Sequence, residues 1–149
     1  MTALKGLGRF EGKSHILPIS IYYEDTDLSG VVYHANYLRY MERGRTEFFR
    51  LAGISRARLE DEEPTAWTIR RIAVEYFRPA RLDDQIAVHS VLTEVSGARL
   101  KALQRIRHGD TLLVERRIEA CITTLTGKPR RLPKNVFETL APFVVADET

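Results

Sequence analysis

The chain of 149 residues, 44% hydrophobic and 29% charged, has the length and balance of one globular domain that buries a core without staples. Its single cysteine, Cys121, excludes an internal disulfide and a cysteine-based metal cluster, and points to a reducing, cytoplasmic setting. The net charge of +3 fits either a solvated surface with a small excess of arginine or a site for an anionic partner, such as a nucleotide-bearing cofactor, an acidic carrier protein or nucleic acid.

Residues 1–15, MTALKGLGRFEGKSH, lack the apolar stretch of a signal peptide and read as a loose leader. No apolar run reaches transmembrane length, which leaves peripheral membrane contact open. ILPISIYYE (16–24) alternates at Ile19, Ile21 and Tyr23 and reads as a strand, with Pro18 at its beginning or on an exposed edge. From Asn36 the period changes. Tyr37, Tyr40, Met41, Gly44, Phe48 and Leu51 form an apolar stripe on a helix of about four turns, with Asn36 as N-cap and Gly53 as stop. Arg43 and Glu47 are spaced to pair on the other face. Gly44 inside the stripe costs the helix about 1 kcal/mol relative to alanine, so it implies close approach of the helix backbone to a sheet.

A polar stretch at 55–64 leads into a series of strands. TAWTIRRIAVEYF is followed by the breaker RPARLDD, then QIAVHSVLTEV, a turn at SGA, RLKALQRIRH, a turn at HGD (108–110), and TLLVERRIEACITTL. TGKPRRLP breaks the pattern, and KNVFETL (134–140) reads as a short closing helix. There is no internal repeat. The expected architecture is a single α+β domain over 1–149, with a long central helix wrapped by a curved antiparallel sheet of about five strands.

The richest stretch chemically is YYEDTDLSGVVYHAN (22–36). Asp25, Asp27, Ser29 and Gly30 fit the early positions of an EF-hand calcium loop, but its last position falls on Asn36, where a bidentate glutamate is needed, and the preceding segment is a strand. A phosphatase pair with Asp25 as nucleophile and Asp27 as acid needs a parallel α/β core, and antiparallel hairpins follow instead. Two readings remain. The aspartates can simply cap a turn. Alternatively, a carboxylate, a turn at Gly30 and a helix beginning near Asn36 supply the parts for acyl transfer from a thioester: a nucleophile or base, and unsatisfied helix N–H groups to stabilise an oxyanion.

YYEDTDLSGVVYHANYLRYMERGRTEFFR resembles the hotdog-fold acyl-CoA thioesterases, in the 4-hydroxybenzoyl-CoA thioesterase-like branch and most of all its Tol-Pal system-associated members. The likeness continues in VEYFRPARLDD (74–84), QRI (104–106) and KPRRLPK (128–134), and spans about residues 17–140. The resemblance implies that Asp27 is the catalytic carboxylate, as nucleophile or general base. It implies that the His34 backbone N–H faces the thioester oxygen while the imidazole contacts substrate, that Gly30 and Tyr33 shape the turn, and that Asp25 is structural. Where this family commonly has alanine and glycine after the acid, the chain has Leu28 and Ser29, which bears on acyl specificity. The family further implies a homodimer or homotetramer built by sheet-edge pairing, with each site at a subunit interface.

Coenzyme A carries phosphates, so a basic rim is expected, with Arg70, Arg71, Arg99, Lys101, Lys128, Arg130 and Arg131 as its candidates and the 128–131 cluster foremost. Cys121 reads as a small buried strand residue, and Trp67, Phe48 and Phe49 as core or interface residues. His15, His34, His89 and His108 show no metal-ligand spacing, and neither a metal nor a redox cofactor is expected; coenzyme A is part of the substrate. The expected activity is hydrolysis of acyl-CoA, with acyl carrier protein thioesters as a second substrate class, in the cytoplasm or at the inner membrane face. The alternative is an acyl-CoA or carrier-protein binding scaffold with weak hydrolysis. Nucleic-acid binding has only the basic balance behind it.

Overall fold

The computed structural model describes residues 7–54 and 65–147. Within them the strands are β1 (Arg9–Glu11), β2 (Ser14–Ser20), β3 (Thr65–Tyr76), β4 (Gln85–Val95), β5 (Arg99–His108) and β6 (Thr111–Thr124). They form one antiparallel sheet in the order β1-β2-β4-β5-β6-β3. Helices α1 (His34–Ala52) and α2 (Lys134–Leu140) complete the α+β fold. The polar stretch read at 55–64 lies outside the described residues.

Of the loose leader expected over 1–15, residues 1–6 lie outside the described residues, and the rest differs from the expectation. From Arg9 the chain is a hairpin, and β1 is a sixth strand paired to β2. Its anchor is Phe10, which stacks on Phe143 at 4.7 Å and meets Phe48 edge-on at 5.1 Å. A short strand with one aromatic anchor has too little alternation to stand out in sequence. The strand read to residue 24 stops at Ser20, and Tyr23–Asp25 form a 3₁₀ turn instead.

Helix α1 begins at His34 rather than at an Asn36 cap. The chain before it is already fixed, because the Val32 N–H donates to the Ala80 carbonyl at 2.8 Å. Asn36 is therefore drawn into the first turn and buried. At the other end Gly53 adopts φ 99°, the left-handed stop expected of it. The Arg43–Glu47 pair does not form. Glu47 takes Arg50 at 2.8 Å and the Leu7 N–H, while Arg43 lies over the Tyr40 ring.

Gly44 is where α1 presses on β4: a Cβ there would stand 2.8 Å from Val88 Cγ1 and 3.4 Å from Gln104 Nε2. The helix packs on β2, β4 and β5. It is thus off-centre, and the face of β3 beyond it keeps Ile69 38% and Ile72 44% exposed. Two apolar clusters lie under the helix. One gathers Tyr37, Tyr40 and Met41 with Val88, Ile106 and Val114; the other gathers Phe48 with Leu92, Leu100, Ile122 and Leu140.

A polar chain is sealed between them. Arg116, its side chain 1% exposed, donates Nε and a terminal nitrogen to Gln104 Oε1, and its other terminal nitrogen to Glu42. Gln104 Nε2 donates onward to the Met41 carbonyl at 2.8 Å and Ser90 Oγ at 2.9 Å. Cys121 is half-buried on β6, and Trp67 stacks on Phe49 at 5.9 Å.

His15 gives the fold a defined pH response. Its Nε2–H donates to the Leu7 carbonyl at 2.9 Å, while the buried Nδ1 has no partner. Burial pulls its pKa below the ordinary value of 6.5, as it does for His89. The unfolded chain therefore takes up the protons first, and stability present above about pH 6.5 is lost as pH falls below it. Thermal melts between pH 7.5 and 5.5 should show a falling melting temperature, with a shallower slope in His15→Asn. Equal slopes would refute the role of His15.

Candidate active site

Residues 22–34 make one connected structure at the mouth of α1. Asp25 Oδ2 accepts the Tyr22 N–H at 2.8 Å, and the Asp25 carbonyl accepts the Tyr33 N–H and Asn36 Nδ2, each at 2.9 Å. Asp25 is thus a strut that ties the 3₁₀ turn to the start of the helix. Its side chain is occupied by the loop itself.

Asp27 opens a tight hairpin. The Gly30 N–H closes the turn on the Asp27 carbonyl at 3.1 Å, the Asp27 N–H reaches Val31 at 2.9 Å, and Thr26 bridges Val32. Gly30 has φ 81°, a left-handed conformation that an L side chain resists. The Asp27 carboxylate stands in solvent, with Oδ1 accepting the Ser29 hydroxyl at 2.5 Å and the Ser29 N–H at 2.8 Å. These two bonds, the hydroxyl's foremost, hold its pKa below the usual carboxylate value. So Asp27 does cap a turn, and at the same time it presents a charged oxygen at the surface.

The helix that follows the hairpin has no side-chain cap among the described residues: Tyr33 holds the N-cap position and offers no side-chain oxygen to the first-turn amides. Asn36, the expected cap, sends its amide to Asp25 instead. The N–H groups of His34 and Ala35 therefore keep the unsatisfied hydrogen-bonding capacity and partial positive charge of a helix start.

Around this point lie aromatic residues. The His34 ring sits 4.5 Å from that of Tyr33 and 6.3 Å from that of Tyr76, whose hydroxyl donates to the His34 carbonyl at 3.4 Å. The Tyr37 hydroxyl accepts the Ala80 N–H at 2.8 Å. Burial raises the Tyr37 pKa, and the charge of Asp27 adds to it. Tyr76 had no role in the sequence reading. Its position in VEYF, inside a matching motif, was the available signal.

Asp27, Gly30, Tyr33 and His34 thus fall together, whereas the basic candidates do not join them within one chain. Arg70 is the extra residue at a bulge in β3, between the pairs Ile69↔Ala120 and Arg71↔Glu119. Arg71, Arg99 and Lys101 gather on Glu119: the first and last are its neighbours across the ladders, and Arg99 Nε stands 3.2 Å from Glu119 Oε1. A groove of about 200 Å³ between Arg71, Lys101, Arg117 and Asp147 marks that face. Lys128, Arg130 and Arg131 lie past β6, where the Lys128 N–H meets Thr124 Oγ1 and Arg131 folds against Gly97. That corner adjoins the Thr65 end of β3, whereas Tyr76 at the other end adjoins His34. Among the described residues, no three of His, Cys, Asp and Glu converge as metal ligands.

The sequence model of the thioesterase-like superfamily matches residues 22–140. The acyl-CoA thioester hydrolase YbgC of Escherichia coli O6:H1 is 43% identical over 121 residues, covering 80% of this chain and 90% of that protein. The acyl-CoA thioesterase YbgC of Haemophilus influenzae is 38% identical over 120 residues, covering 80% of this chain and 88% of that one. Among solved structures, a probable thioesterase from Bartonella henselae superposes with a TM-score of 0.76 at 37% identity, covering 80% of this chain and 99% of its own.

Proposed function

The chain belongs to the thioesterase-like superfamily, and from that membership we propose an acyl-CoA thioester hydrolase in which Asp27 does the chemistry and the open amides at the start of α1 receive the oxyanion. The observation that carries the reading is a solvent-facing, ionised carboxylate on the hairpin that leads directly into an uncapped helix. A thioester carbonyl lying across the His34 and Ala35 N–H groups gains donors where negative charge develops, a contribution of about 3 kcal/mol per well-aimed donor. Asp27 then attacks the carbonyl carbon, expelling the thiolate and leaving a mixed anhydride that water hydrolyses to the free acid, or it takes the proton of a water that attacks directly; both routes start from the same carboxylate. The thiolate of coenzyme A leaves without an acid, so no metal or redox cofactor is needed.

Recognition of coenzyme A is proposed to need a second copy of the chain. Tyr76 and Thr65 stand at opposite ends of a 12-residue edge strand, roughly 36 Å apart at 3.3 Å per residue. An antiparallel, two-fold pairing of β3 with the β3 of another copy would bring the basic corner of one chain, Lys128 to Arg131, beside the Asp27 hairpin of the other. Arg70 and Arg71 would flank the seam, with Arg99 and Lys101 behind them. The exposed Ile69 and Ile72 support this, since a paired strand would set apolar cross-strand neighbours beside them. Sedimentation should show a dimer or a multiple of it, and Ile72→Lys should yield monomer with most of its turnover gone. A monomeric wild-type enzyme with full activity would refute the composite site.

Acyl carrier protein thioesters are the proposed second substrate class, and the cytoplasm the proposed location. No helix of the described residues is long and apolar enough to cross a membrane. The deciding experiment is thiol release across acyl-CoA chain lengths. Saturable binding without thiol release would overturn hydrolysis in favour of a binding scaffold.

A further inference from the structure

We propose that Ser29 is a positioning residue for hydrolysis, its hydroxyl holding one oxygen of the Asp27 carboxylate so that the other is presented to substrate. The proposal rests on the reading of Asp27 as the reacting acid and goes beyond it in assigning the carboxylate's two oxygens different tasks.

The geometry is specific. Both the hydroxyl and the N–H of Ser29 converge on Oδ1, at 2.5 and 2.8 Å. The shorter contact has the length of a charge-assisted O–H···O⁻ bond, about 2.5–2.7 Å. Oδ2 has no side-chain partner among the described residues, and the backbone of Val31 adds only a weaker pull on the carboxylate than Ser29 does. The backbone of Asp27 is itself fixed from both sides, by Val31 and Gly30. Two donors on one oxygen of an anchored residue set the rotation of the carboxylate about its last bond, which would otherwise be broad. A residue without a side-chain oxygen at this position would keep the N–H contact and lose the hydroxyl. The second donor is therefore a property of this chain's LSG sequence and not of the turn alone.

The hydroxyl has an opposing effect. It draws charge onto Oδ1 and lowers the basicity of the group, in line with the depressed pKa. Ser29 thus exchanges some reactivity for a fixed aim and a carboxylate that stays ionised further into acid. Leu28, fully exposed between the two residues, makes none of these contacts.

The test compares Ser29→Ala and Ser29→Thr with the wild type, using an NMR titration of the Asp27 carboxyl and pH profiles of kcat and kcat/KM. Ser29→Ala should move the Asp27 titration and the acid limb of kcat/KM upward. At neutral pH it should lower kcat by ~10-fold through lost orientation, with KM unchanged; Ser29→Thr should restore all three. Unmoved titration with unmoved kcat, or a change confined to KM, would overturn the proposal. So would a loss in Ser29→Ala as complete as that of Asp27→Asn, together with an acyl group trapped on Ser29 of the wild-type protein, which would make the serine a nucleophile. Asp27→Asn run beside them separates the two levels. If it is active, the reading of Asp27 falls; if it is inactive while Ser29→Ala matches wild type, only the role of Ser29 falls.

Discussion

Replacing Asp27 with asparagine should lower kcat for acyl-CoA hydrolysis by about 10³-fold or more, within the range associated with loss of a general base or nucleophile, while the melting temperature stays within a degree or two of wild type. The substitution keeps the shape of the side chain, and its amide oxygen can still accept the Ser29 N–H and hydroxyl. The hairpin is held by backbone bonds that the change does not touch. The charge goes, and with it the basicity and nucleophilicity that take a proton or attack carbon. The opposing case is Asp25→Asn, whose carboxylate meets the Tyr22 N–H inside the loop; it should retain most of its turnover. Thiol-release kinetics and thermal melts of the two variants decide the matter. Near-normal turnover in a folded Asp27→Asn protein would remove the proposed chemistry altogether.

The second large effect lies in the core. Gln104→Leu should destabilise the protein by about 3 kcal/mol or more, because it strips the buried Arg116 of the acceptor of two of its N–H groups. For a chain of this size that corresponds to a fall in melting temperature of roughly 10 °C. Burial already works against the charge of Arg116, and Glu42 alone would be left to support it. The double variant Gln104→Leu/Arg116→Met removes the charge together with its acceptor, and should recover much of the loss. A double variant no more stable than Gln104→Leu would show that the penalty comes from the Met41 and Ser90 contacts instead. Chemical denaturation of the four species closes the cycle.

Much of this molecule is written in local patterns. The strands β4, β5 and β6, the helix α2 and the Gly53 stop follow from alternation and turn residues, and their bounds match the expected ones to within a residue. Gly44 announced close packing because a glycine inside an apolar stripe has few other uses, and its approach to Val88 bears that out. What was not legible depends on residues far apart in sequence. The start of α1 is set by Ala80, forty-odd positions on, so an asparagine that looks like a cap is recruited by Asp25. The hairpin at Arg9 is anchored where Phe48 and Phe143 receive Phe10. The site divides in the same way: acid, turn and helix start are contiguous and readable, whereas the basic residues scatter over three strands and a loop, with no local rule to say which face they share.

The contact of Phe10 with Phe143 makes the polypeptide close to a ring. Lys13 Nζ adds a bond to the Val144 carbonyl at 3.2 Å, and the Val145 N–H pairs with Leu92 on the strand that also carries β2. The first and last described segments therefore rest on one another. Loosening either segment would expose the aromatic seat of the other, so fraying, which in most domains is a private matter of each terminus, is expected here to be shared.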